Sequence, residues 1–298
     1  MADTPPRAFD DLIAEAEAVS ADGWDFSWLA GRATEERPSW GYARSLADRI
    51  SGAEAVLDLD TGGGEVLAEA VAASATRAAG STRATASTGS PGQPEPPTRP
   101  RAPTPMRPQA RLTVATEAWP PNVTKAAARL RPLGVAVIAT SDEPPLPFAD
   151  SAFDLVVSRH PVRTWWDEIA RVLRPGGMYF SQEVGPASVF ELVEHFLGPL
   201  PPEARSSRDP ERAARAARAA GLDIVDLRTA ALRTEFHDIG AVVYFLRKVI
   251  WMVPDFSVER YRPQLAALHR RIEAEGPFVA TTTRFLVEAV KPFEAVAP

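Results

Sequence analysis

Apolar residues in this chain follow two rhythms. Short, nearly continuous apolar runs alternate with longer stretches where apolar residues return every third or fourth position. The runs Ala55–Asp60, Arg111–Ala115, Val135–Ala139, Phe153–Ser158, Met178–Val184, Leu222–Leu227 and Phe278–Val290 read as strands. Between them Glu65–Ala73, Asn122–Leu130, Trp165–Leu173, Pro210–Ala220, His237–Val253 and Val258–Glu275 read as helices. Such alternation predicts an α/β protein whose doubly wound, mostly parallel sheet of seven strands is covered on both faces. Ahead of the first strand, Phe9, Leu12 and Ile13 recur at helical spacing. Trp24, Phe26, Trp28, Trp40, Tyr42, Leu46 and Ile50 follow, so residues 1–51 are expected to form an N-terminal helical cap.

Composition breaks this pattern once. Residues 74–109 are almost entirely Pro, Ser, Thr, Ala, Gly and Arg, with Met106 the single large apolar residue. Such a stretch buries too little surface to offset its chain entropy and is expected to be disordered. The strand and helix pattern resumes beyond it, so it reads as an insertion inside one domain spanning 52–298; loop-closure cost rises only slowly with length.

The bulk numbers restrict function more than fold. The 298 residues carry a net charge of −6, which is not the footprint of a nucleic-acid binder. There is no cysteine, which excludes disulfides, thiolate metal sites and cysteine nucleophiles and suits a cytoplasmic location. The first residues lack a secretory pattern, and the most apolar stretch, 241–253, contains Arg247 and Lys248 and is short for a bilayer span. A buried or lid helix is expected there. His195 and His269 offer no metal-ligand spacing, and Arg212, Arg215 and Arg218 read as a solvated helix face.

The chemistry concentrates at Ala55–Glu65, where an apolar strand runs into Asp58-Leu59-Asp60-Thr61-Gly62-Gly63-Gly64 and a helix opens at Glu65. A glycine turn between strand and helix makes a nucleotide-type pocket at the carboxyl edge of a sheet. A phosphate-binding P-loop would need Gly-Lys-Ser/Thr here, and the nicotinamide fingerprint would need a further small residue where Leu67 stands. With these set aside, the ordered set becomes informative: Asp58 to Gly64, Glu117 after the second strand, Asp142-Glu143-Pro144-Pro145-Leu146-Pro147-Phe148, Phe153-Asp154-Leu155-Val156, and Leu173-Arg174-Pro175-Gly176-Gly177. In order and spacing, over roughly residues 52–185, it resembles the class I S-adenosylmethionine-dependent methyltransferases.

That resemblance implies S-adenosylmethionine as cofactor and a binding set of Asp58, Asp60, Gly62, Gly64, Glu117, Ala118, Asp142, Glu143 and Ser158. Glycines 62 and 64 would let the backbone approach the amino-acid portion. Glu117 would accept hydrogen bonds from the ribose hydroxyls, and removing the low-complexity segment restores its expected spacing from the glycine loop. Asp142 would face the adenine amino group. Where the family usually has glycine this chain has Asp60, which would salt-bridge the ammonium, repel the carboxylate, point into solvent, or mark lost cofactor binding.

Methyl transfer from a sulfonium needs mainly positioning and desolvation, with a base only where the acceptor must lose a proton. His160, after the fourth strand, and His237, opening the helix of a lid at 236–276 with Asp238 beside it, are the catalytic candidates. Trp165, Trp166, Tyr244, Phe245 and Trp251 are candidate pocket walls. The expected acceptor is a small molecule. An rRNA or tRNA base is the second substrate class, and a non-catalytic S-adenosylmethionine-binding partner or sensor is the reading that Asp60 would favour.

Overall fold

The computed structural model describes residues 7–23, 26–85, 112–141 and 143–293, with backbone only for 77–85. In chain order the elements are α1 (Phe9–Ala18), β1 (Ala33–Glu35), α2 (Tyr42–Gly52), β2 (Ala55–Leu59), α3 (Glu65–Thr85), β3 (Leu112–Glu117), α4 (Pro120–Leu130), β4 (Ala136–Ala139) and β5 (Phe153–Arg159). They continue with α5 (Trp166–Val172), β6 (Leu173–Val184), α6 (Phe190–Leu197), α7 (Pro202–Arg205), α8 (Pro210–Ala219), β7 (Asp223–Phe236), α9 (Ile239–Lys248), α10 (Arg262–Glu275) and β8 (Phe278–Val290). The α/β class expected from the sequence is the one observed. The strands form two compact units, Tyr42–Ser158 with Asp167–Phe180 and Val290–Pro298, and Met1–Gly41 with Arg159–Trp166 and Ser181–Ala289.

In the first of these, β2 lies between β3 and β5, with β4 outside β3, and these pairs are parallel. The register sets Asp58 beside Ala115 and Leu59 beside Ser158, so the ends of three strands meet at one edge. β2 is buried on both faces, as a central parallel strand must be, and Leu46, Leu57, Leu67, Leu130 and Val156 fill the core around it. Its entry is clamped by Asp154, whose two oxygens accept from the backbone N–H of Glu54 and Ala55, each at 2.8 Å. Tyr42 stacks on Phe180 and donates to the Ser158 carbonyl at 2.8 Å, which pins α2 against the end of β5.

The other unit gathers Leu12, Ile13, Leu192, Phe236, Val242, Leu265 and Phe278 into one core drawn from α1, α6, α9, α10, β7 and β8. The apolar stretch at 241–253 is largely α9, which buries most of its residues there, Tyr244 among them, while Trp251 is exposed. Among the described residues no helix is long and apolar enough to cross a membrane.

Four differences from the sequence reading have physical reasons. Eight strands are present among the described residues, one more than predicted. The extra one, β1, lies inside the segment expected to be wholly helical and pairs antiparallel with the end of β7, Ala33 beside Phe236. That pairing also carries β7 past Leu227. Residues 74–85, assigned to the insertion, extend α3 instead, in keeping with their alanine content. The rest of the insertion, 86–109, lies outside the described residues, as do Trp24 and Asp142. Arg174-Pro175-Gly176-Gly177, left between the predicted helix and the predicted strand, belongs to β6. Gly176 sits at φ +80° and donates to the Lys291 carbonyl, while Lys291 N–H returns a bond to Gly177. The glycines admit a kink within a paired strand rather than a reversal.

Candidate functional site

Residue by residue, the loop after β2 is held by its neighbours. Asp60 takes φ +54°, Gly62 +64° and Gly64 +77°. The left-handed region is open to glycine and, among L-residues, most readily to Asn and Asp, because their short polar side chains bond locally. An aspartate can therefore occupy a position that otherwise calls for glycine. Thr116 receives the loop, accepting from Thr61 N–H on its carbonyl at 2.9 Å and from Asp60 N–H on its hydroxyl at 3.4 Å. Gly64 is required for packing, since a Cβ there would lie 2.9 Å from Leu130 of α4. Arg129, one position earlier on α4, donates to the Gly63 carbonyl and pairs with Glu65.

Glu117 completes this arrangement. One oxygen accepts from Gly62 N–H at 2.7 Å; the other accepts from Ala118 N–H at 3.1 Å and Trp119 N–H at 2.9 Å. The carboxylate is thus bonded directly to the glycine loop despite lying on the far side of the insertion. An ionised carboxylate offers about four lone-pair sites, so capacity for further donors remains. Asp58, also buried, has its carboxyl pushed up to about 7 by burial. The Thr61 hydroxyl opposes that rise, and the charges of Asp60 and Glu117 add to it. Three acids at one strand edge create a field that suits a cation. Among the described residues, Ser158 Oγ and Asn122 Oδ1 of the same unit are buried without a hydrogen-bond partner. These features fit a zwitterionic, sulfonium-bearing nucleoside. Of the expected binding set, Asp58, Asp60, Gly62, Gly64, Glu117 and Ala118 come together here, with Ser158 beside Leu59 in the sheet. Glu143 is an exposed loop residue whose N–H donates to Ser141 Oγ.

The two candidate histidines belong to the other unit. His160 has φ +57°, and its N–H donates to the Gln182 carbonyl at 2.7 Å. Its Nε2 lies 3.1 Å from Gln182 Nε2, and Gln182 Oε1 accepts from Trp40 Nε1 at 2.8 Å. Burial lowers the imidazole's pKa to about 2, with the positive charges of Arg159, Arg284 and Arg208 adding to the effect. His160 is therefore neutral at physiological pH. Nearby Glu183 accepts from Thr164 at 3.3 Å, and burial raises its carboxyl to about 7 against the hydroxyl of Thr164 and the charge of Arg208. His237 is partly exposed and faces Glu235 at 3.7 Å. Asp238 serves as the N-cap of α9, accepting from Ala241 N–H at 2.8 Å, and lies 3.5 Å from Arg32; it makes no hydrogen bond to His237 among the described residues.

Sequence reasoning missed Thr116, Arg129, Trp40 and Gln182. For Gln182 a signal existed, because Ser181-Gln182-Glu183 places consecutive polar residues inside an apolar strand. Arg129 gave none, since its partner is reached only through the packing of α4.

A methyltransferase-domain family model matches residues 102–181, from before β3 to within β6, starting beyond the glycine loop. Among curated proteins none matches. Similar solved structures include a Bacillus halodurans C-125 protein provisionally designated a methyltransferase, at 17% identity and TM-score 0.52, covering 84% of this chain and 98% of that one. The YcgJ protein of Bacillus subtilis is 16% identical with TM-score 0.47, covering 83% of this chain and 98% of its own. The halodurans likeness establishes the fold, and the matched domain lies within it. Residues 102–181 of the chain carry a methyltransferase domain.

Proposed function

We propose that this protein transfers the methyl group of S-adenosylmethionine to a small-molecule acceptor, releasing S-adenosylhomocysteine. The observation that carries the cofactor assignment is the bond from Gly62 N–H to Glu117, which brings the glycine loop and the ribose-type acid together across the insertion. Glu117 would hold the ribose hydroxyls, and the acid group around Asp58 and Asp60 would favour the cationic end of the molecule. The cofactor supplies an activated methyl on sulfur; the protein's task is to bind, orient and exclude water.

The acceptor reading rests on acidity and on aromatic content. A net charge of −6 disfavours a polyanionic RNA substrate. Of the two catalytic candidates, His160 better supports an orienting role than a proton-accepting one. Its Nε2 is engaged by an amide nitrogen and its basicity is suppressed. His237 remains a candidate base, with Glu235 3.7 Å away.

Calorimetric titration with S-adenosylhomocysteine tests the cofactor assignment. The parent chain binds, and Glu117→Ala weakens binding by about 1–3 kcal/mol, the cost of losing a buried hydrogen-bonding group. Unchanged affinity in the variant removes Glu117 from the site. No affinity in the parent points to a scaffold without this activity.

A further inference from the structure

We propose that Asn122 holds one of the two ribose hydroxyls of S-adenosylmethionine, sharing the sugar with Glu117; the assignment rests on the cofactor reading above. A carboxylate clasps both hydroxyls of a ribose only if each of its oxygens has room for one. Glu117 lacks that room. Its Oε1 already accepts from Ala118 N–H at 3.1 Å and Trp119 N–H at 2.9 Å, and its Oε2 accepts from Gly62 N–H at 2.7 Å. With two lone-pair sites on each oxygen, three of the four are taken and the one left is on Oε2. Glu117 therefore accepts one hydroxyl, and the other needs a second acceptor.

Asn122 supplies it. It is the third residue of α4, 3% exposed, and its Oδ1 is buried with no hydrogen-bond partner among the described residues. A buried amide oxygen left unpaired costs stability, so its surroundings need accounting for. A side chain at this position leans back toward the start of its helix, where in other helices it can meet a free backbone N–H. Here none is on offer. Pro120 and Pro121 have no N–H, and those of Ala118 and Trp119 are given to Glu117. Those of Asn122 and Val123 are given to the Trp119 carbonyl at 2.9 and 3.1 Å. No donor of this turn remains, and a ligand hydroxyl is the group that completes it. The direction is also right. Asn122 shares a face of α4 with Arg129 and Leu130, two turns on, and these reach the Gly63 carbonyl and Gly64. The spare acceptor thus stands on the side of α4 that meets the glycine loop, at the end where Glu117 sits. A ribose carries two adjacent hydroxyl donors, which one free site on each of these two residues can take.

Calorimetric titration of the full chain with S-adenosylhomocysteine and with its 2′-deoxy and 3′-deoxy forms tests this. Asn122→Leu, which keeps the side-chain size and removes the acceptor, should weaken S-adenosylhomocysteine about tenfold or more. Against one of the two deoxy ligands the variant and the parent should bind alike, and that ligand identifies the hydroxyl that Asn122 holds. Without ligand, Asn122→Leu should unfold at the same urea concentration as the parent or higher, because only an unpaired group is lost. A lower midpoint shows that the amide is bonded within the fold, and overturns the proposal. Equal weakening of all three ligands overturns it too, as does unchanged affinity for S-adenosylhomocysteine, the result expected if an ordered water meets Oδ1. A parent that binds none of the three removes the cofactor reading and this assignment together. A parent that binds S-adenosylhomocysteine, with Asn122→Leu unaltered, removes Asn122 alone.

Discussion

Asp60 shows how one side chain can depart from the pattern that a sequence resembles without losing the backbone that the pattern serves. At φ +54° the requirement is for a residue that tolerates the left-handed region, and aspartate meets it where a branched residue would not. Asp60→Gly should therefore stay within about 1 kcal/mol of the parent in urea unfolding, strain relief being offset by added chain freedom. Asp60→Val should lose about 1–2 kcal/mol. A valine variant as stable as the parent would show that the loop adopts another conformation. The negative charge has a separate effect. Because Asp60 raises the Asp58 carboxyl, Asp60→Asn should lower the Asp58 titration midpoint, followed by carbon-13 NMR.

At the scale of elements, the glycine loop depends on a helix that the sequence places well beyond it. The strands and the acid of the site could be read from the chain, because each rests on local signals: apolar runs, glycines and an acid at a strand end. β8 agrees with the predicted range, Phe278–Val290, and β5 differs by one residue. What could not be read was tertiary. Gly64 was expected to admit a ligand, but the nearest obstacle to a side chain there is Leu130, and nothing local announces that contact. The Trp40–Gln182–His160 relay likewise links residues far apart in sequence. β1 escaped notice because a strand of three residues carries too little periodicity to register. The Leu130 contact makes a measurable prediction. Gly64→Ala should cost about 1–3 kcal/mol through overpacking and backbone strain. In a Leu130→Ala background the cost of Gly64→Ala should shrink, giving a non-additive cycle. Strict additivity would mean that the loop and α4 do not share this contact.

Across the whole molecule, buried titratable groups tie stability to pH in opposing directions. Asp58 and Glu183 have folded pKa values raised to about 7 from 3.8 and 4.5. Between those limits the folded chain holds protons that the unfolded chain has released, so stability falls as pH rises through the window and levels off above about 7. His160 works the other way. Its folded value of about 2 lies below 6.5, so stability falls as pH drops below 6.5. From about pH 4.5 to 6.5 two carboxyls oppose one imidazole, and each contributes a slope of about 1.4 kcal/mol per pH unit at most. Asp58→Asn should therefore flatten the decline in stability over this window and His160→Asn should steepen it, as read from urea midpoints at a series of pH values. Identical pH profiles for parent and variants would contradict these assignments. The bonds that close the glycine loop carry one more consequence. Gly62 to Glu117, Gly63 to Arg129 and the β2–β3 ladder all bridge the insertion without using its covalent continuity. A chain cut by protease between residues 86 and 111 should accordingly stay together as two associated fragments, eluting as one species on gel filtration until denaturant separates them, and new chain ends could be introduced there by circular permutation.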